Sequence, residues 1–142
     1  MNEDCLVKDL SFRVHHTMLP VANLDRSVAF YTRLLGMKVQ DRHASEARKV
    51  EVGLVGYGVQ ASAPFLELIE DISENAPDKV TPANIHVGID ASDLRKLCTI
   101  LEKEGVMFIR PLKERSDGGG LSAWIRDPDG HEIELAERHP RA

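Results

Sequence analysis

Residues 85–90 read IHVGID, with Ile85, Val87 and Ile89 alternating against His86, Gly88 and Asp90. That period of two predicts a strand whose apolar side faces a core. A run of the same kind begins at HTMLPV (16–21). Each is followed by a period near 3.6: Leu24, Val28, Tyr31 and Leu35 form one stripe, and Leu94, Leu97, Cys98 and Leu101 form another. Such stripes predict amphipathic helices. Asn23, and Ser92 or Asp93, are suited to cap their starts; Gly36 and Gly105 are suited to end them.

The two halves continue in parallel. After each helix comes a short strand pattern (MKVQ; MFIR) and then two more, KVEVGLVGYG and PFLELIED in the first half, LSAWIRD and HEIELAE in the second. An internal repeat sets architecture before any motif does. The pattern therefore predicts a single α+β domain over 14–138, made of two pseudo-symmetric βαβββ modules, 14–72 and 84–138. SENAPDKVTPA links them, and both helices lie outside a cupped mixed sheet.

Symmetry gives the polar positions a meaning. His16 and His86 begin the first strand of each module, and Glu67 and Glu134 lie in the last. A pseudo-twofold axis would bring all four to one point. Two imidazoles and two carboxylates, completed by two waters, suit an octahedral divalent ion: nickel, cobalt, manganese or ferrous iron, and zinc less typically. Glu67 shares its strand face with Phe65 and Ile69, where an unpaired carboxylate is costly and a cation would relieve it. His43, His131 and His139 lack such placement and read as surface residues.

Composition narrows the classes. The chain has 142 residues, a net charge of -5 and 42% hydrophobic residues. That balance disfavours a nucleic-acid partner, and no apolar run nears the roughly 18 residues of a membrane span. Neither a signal-peptide layout nor paired cysteines is evident, and Cys98 falls on a helix's apolar side, so a reduced, cytoplasmic protein is expected. The loop KERSDGGGLS (113–122) sets Lys113 and Arg115 beside three glycines; it is either an ordinary flexible hairpin connection or a mobile flap whose Lys113 and Arg115 reach an anionic substrate group. VGYG (55–58) reads as a hairpin turn. DRHASEARKV (41–50) is charged and carries no recognisable turn motif.

HTMLPVANLDRSVAFYTRLLGMKV, VGYG, FLELIE, IHVGID and DPDGHEIEL together resemble the vicinal oxygen chelate superfamily, and most closely its glyoxalase I branch, over about residues 14–137. The resemblance implies paired βαβββ modules around a metal held by His16, Glu67, His86 and Glu134, with nickel or cobalt favoured. It also implies a homodimer, its cup often completed across the subunit interface. The implied chemistry is conversion of a hemithioacetal, or a related alpha-hydroxycarbonyl substrate, through an enediolate, with Glu134 first and Glu67 second as the proton-moving base. An acyl-CoA epimerase of methylmalonyl-CoA type, a ferrous extradiol-type dioxygenase and a non-catalytic resistance binder are the alternatives. Two positions depart from the branch. Pro20 stands where an arginine usually contacts the glutathione carboxylate, and Asp71 where an asparagine usually reads glutathione.

Overall fold

A computed structural model of the chain describes residues 6–58, 64–82, 84–116 and 118–138. The first module runs β1 (His16–Val21), α1 (Leu24–Ala29), β2 (Lys38–Ser45), β3 (Val50–Gly56) and β4 (Phe65–Asp71). The second runs β5 (His86–Asp90), α2 (Leu94–Lys103), β6 (Phe108–Glu114), β7 (Gly120–Arg126) and β8 (Glu132–Arg138). Each forms its own four-stranded sheet, ordered β1-β4-β3-β2 and β5-β8-β7-β6. In both, the first strand pairs parallel with the last, and the other pairs are antiparallel. The duplication predicted from the pattern is the architecture observed.

The helices bury the predicted stripes. Leu24, Tyr31, Leu35, Leu94, Cys98 and Leu101 are buried, with Val28 and Leu97 packed against them. Asn23 caps α1 by accepting from the Arg26 N–H at 2.9 Å; of the two candidates for α2, it is Asp93 that caps, accepting from Lys96 N–H at 3.1 Å. Gly36 and Gly105 have φ of 71° and 75°, the left-handed conformation that ends a helix cheaply only at glycine. The first helix is less regular than its period implies: beyond Ala29 it widens into a π-helical turn over Phe30–Leu34.

Both modules fasten strand to helix in the same way. Glu70 and Glu137, each three residues past the glutamate already singled out, accept from the first helical N–H groups of Leu24 and Leu94 at 3.0 and 2.9 Å. The two modules are then locked together by the turn between β7 and β8. Asp129 accepts from Ala22 N–H, from the Arg26 guanidinium and from the Ser27 hydroxyl. Asp127 accepts from the Tyr31 hydroxyl at 2.8 Å. His131 donates through Nε2 to the Pro20 carbonyl at 2.7 Å.

Several expectations are corrected here. His131 is a core residue, 1% exposed; its ring satisfies a backbone acceptor of the other module, which the local pattern DPDGH does not reveal. His43 is on the surface, beside Asp41; His139 and Cys5 lie outside the described residues. Ile85 precedes β5 and stays half-exposed, because the strand begins one residue later than the alternation implies. The segment 41–50 is the end of β2 and its turn into β3, and 113–122 is the hairpin connection of β6 and β7, with Lys113 itself inside β6. Beyond Gly56, residues 57–58 of VGYG bend, as a turn should, and the residues that follow lie outside the described ones.

Candidate metal and substrate site

His16 opens β1, and Glu67 is the third residue of β4. The parallel register sets His16 opposite Phe65 and Met18 opposite Glu67, on one sheet face. The imidazole Nε2 and the carboxylate Oε2 stand 3.7 Å apart. The other ring nitrogen of His16 lies 2.9 Å from His15 Nδ1, which orients the ring with Nε2 toward Glu67. The second module repeats the arrangement. His86 opens β5, Glu134 is the third residue of β8, and Gly88 lies opposite Glu134. There the His86 Nε2 and Glu134 Oε2 are 3.5 Å apart.

The four residues therefore come as two pairs. Among the described residues no group of three or more His, Cys, Asp or Glu side chains gathers around one point. The expected convergence within one chain is not seen among them. Each pair is built by the parallel pairing of first and last strand within its own sheet. Each pair nevertheless suits half of a coordination sphere. Adjacent ligands on an octahedral ion with bonds of about 2.1 Å stand about 3 Å apart, and both separations approach that value.

The surroundings of the pairs differ. Glu67 is flanked across the sheet by Met18 and Leu54, an apolar setting. Glu134 is flanked by Gly88 and Trp124. A Cβ at Gly88 would meet nothing within 4 Å, so the space beside Glu134 is open. Trp124 packs on His86 with ring centroids 4.7 Å apart, and the Arg110 guanidinium lies 5.2 Å over the indole. Arg115 Nη1 donates to Glu134 Oε1 at 3.4 Å. Arg110, Lys113, Arg115, Trp124 and Glu134 line a cavity whose open space is about 260 Å³.

Lys113 and Arg115, expected to serve substrate, thus border the second pair, and Arg115 touches it. Arg110 and Trp124 escaped the sequence reading. The signal was available only as register, since Trp124 and Arg110 follow Glu134 across the sheet, and that register depends on two bulge-like shifts in β6. Of the two departures, Pro20 offers only a carbonyl, already taken by His131. Asp71 is exposed, and hydrogen bonds from Ser73 hold its carboxyl below the usual range, so it presents a negative charge.

The chain and its fold match known proteins. The sequence profile of the Glyoxalase/Bleomycin resistance protein/Dioxygenase superfamily matches residues 13–135, and the chain belongs to that superfamily. Among its relatives, the lactoylglutathione lyase of Salmonella typhimurium is 32% identical over 125 residues, 88% of this chain and 92% of that protein. The glyoxalase I of Leishmania major, described as trypanothione-dependent, superposes with a TM-score of 0.75 at 35% identity, over 89% of this chain and 87% of that one. An antibiotic-binding protein of Streptomyces, TnmS3, superposes with a TM-score of 0.69 at 19% identity, over 91% of this chain and 98% of that one, and shares the fold alone.

Proposed function

We propose that this protein is a metal-dependent lyase of glyoxalase I type, acting on a hemithioacetal or a related alpha-hydroxycarbonyl compound. The observation that carries the reading is the duplicated His–Glu pair: His16 with Glu67 and His86 with Glu134, each at the same place in its module. Since one chain supplies the pairs separately, the site is completed between two copies, the first pair of one facing the second pair of the other. The protein is then a homodimer with two equivalent sites. Nitrogen and oxygen donors in this set suit nickel or cobalt. When bound, such an ion supplies Lewis-acid stabilisation of the negative charge that develops on the substrate oxygens.

The chain's own residues divide the remaining work. Glu134 is assigned the proton transfer between neighbouring carbons, because Gly88 leaves room for substrate beside it, whereas the place opposite Glu67 carries the side chain of Met18. Arg115 orients one Glu134 oxygen. Lys113 and Arg115 receive an anionic group of the substrate, with Arg110 adding to the positive field. Pro20 and Asp71 supply neither a donor nor a cation for a thiol carboxylate, so the thiol half need not be glutathione. The reduced, buried Cys98 accords with a cytoplasmic setting; among the described residues no helix is long and apolar enough to cross a membrane.

Subunit mixing tests the shared site. His16→Ala and His86→Ala each remove one pair, and neither homodimer retains an intact site. Refolded together, half of the dimers are mixed, and each mixed dimer has one intact site, so about a quarter of sites return. Metal analysis should read about one ion per chain for the unsubstituted protein and a corresponding fraction for the mixture. Thioester absorbance with hemithioacetals of glutathione, trypanothione and simpler thiols should recover in proportion. No recovery of metal or turnover on mixing would mean that the site is not shared.

A further inference from the structure

The register of β6 against β7 shifts between Arg110 and Lys113. Regular alternation would put residues three apart on opposite faces of a sheet. The shift admits an extra residue, so Arg110 lies opposite Trp124 and Lys113 opposite Ser122, and those partners are alternate residues of β7 on one face. Both cations therefore border the cavity beside Glu134, together with Arg115, Ser116 and Ser122. Their charges are not balanced within it. Arg115 is paired with Glu134 at 3.4 Å. Arg110 has the Trp124 ring beneath it, and among the described residues neither Arg110 nor Lys113 has a carboxylate partner. Glu114 also borders the cavity, but it lies opposite Leu121, which packs on the core, and it shares a second recess with Arg95. Two positive charges thus face about 260 Å³ of open space, in a chain whose net charge is -5.

We propose that this cavity receives a phosphate monoester, so that the substrate is a phosphorylated compound rather than a simple carboxylate. The proposal rests on the glyoxalase I type reading and names the anion which that reading leaves open. A carboxylate brings one negative charge and two oxygens. A phosphate monoester brings close to two charges at neutral pH and three strong acceptor oxygens. The two unbalanced cations match the phosphate. Arg110 offers a fork of donors and already lies 5.2 Å over the indole centroid, which limits the freedom it loses on binding. Lys113 supplies a point charge, and the hydroxyls of Ser116 and Ser122 are further donors at the cavity wall. The phosphate belongs either to the thiol half or to the carbonyl half of a hemithioacetal; the chemistry that recognises it is the same.

The test uses the full chain loaded with nickel and compares paired compounds. Hemithioacetals of methylglyoxal with pantetheine and with phosphopantetheine place the phosphate on the thiol. Those of mercaptoethanol with hydroxypyruvaldehyde and with its phosphate place it on the carbonyl half. In one pair kcat/KM should be about tenfold higher for the phosphorylated member. Calorimetric titration with phosphopantetheine, hydroxypyruvaldehyde phosphate and their unphosphorylated counterparts follows binding without turnover and should show the same preference. Arg110→Gln with Lys113→Gln should erase it, while circular dichroism and nickel content stay unchanged. Should the double variant fail to fold, Lys113→Gln alone should lower the preference about threefold. A preference below about twofold in both pairs, or one that the variants keep, overturns the phosphate site and leaves the lyase reading standing on whatever turnover is seen. Phosphate-selective binding that needs Arg110 and Lys113, with no turnover of any hemithioacetal, upholds the phosphate site and overturns the lyase reading.

Discussion

Asp127 is a carboxyl buried between the modules, where it accepts from the Tyr31 hydroxyl and from the N–H groups of Asp129 and His131. Burial raises its pKa above the ordinary 3.8, against the opposing pull of Tyr31 and His131. The folded chain therefore keeps a proton that the unfolded chain has released once the pH passes 3.8. The native state binds more protons in that window, so this group's contribution to stability is present below it and is lost as pH rises. Asp127→Asn keeps an acceptor for the two N–H groups and turns its amide to the Tyr31 oxygen, but cannot titrate. Urea unfolding from about pH 4 to pH 7 should show a shallower decline for the variant; equal slopes would remove the assignment. None of this was legible in the sequence. DPDGH reads as a polar turn, and the partners of its side chains lie about a hundred residues away in the other module. The metal-ligand candidates were legible because the repeat places each at a matched position, a signal that needs no tertiary knowledge.

In the hairpin of β6 and β7, Gly120 sits where no side chain fits. Gly120 has φ of 123°, and a Cβ there would overlap the Glu137 carbonyl on β8, a backbone atom that cannot step aside. Gly120→Ala should therefore cost about 2 kcal/mol or more in chemical denaturation. Gly88→Ala is the matched contrast, since its Cβ meets nothing: stability should hold while turnover falls, because the methyl group occupies space assigned to substrate. A Gly88 variant with full turnover would place the substrate elsewhere. At this scale much was readable beforehand, because helix stripes, caps and terminal glycines are local. Strand lengths were not. β2 and β6 run on through charged residues that hydropathy alone assigns to loops, and cross-strand hydrogen bonding decides the matter. The Glu70 and Glu137 caps were written in the repeat, as ELIE and ELAE, yet a glutamate that reaches a helix from a distant strand leaves no local pattern.

The proposed division of the site between copies would tie stability to concentration. The midpoint of thermal unfolding of the metal-loaded protein should rise with chain concentration, as binding of the native form requires. A midpoint that is constant over about a hundredfold dilution would argue for a self-sufficient monomer. The duplication, the fold and the matched places of the two pairs followed from one chain's pattern, but their separation did not, because a repeat in sequence does not fix the distance between its two sheets. One more consequence comes from Pro20. In a strand, N–H and C=O of one residue point the same way, and its carbonyl points to His131 rather than to β4. The missing N–H thus costs no ladder bond. At that point the border of the first sheet offers a foreign strand neither a hydrogen to accept nor a free oxygen to approach. The molecule can crowd against its own kind without zipping into fibrils along that side.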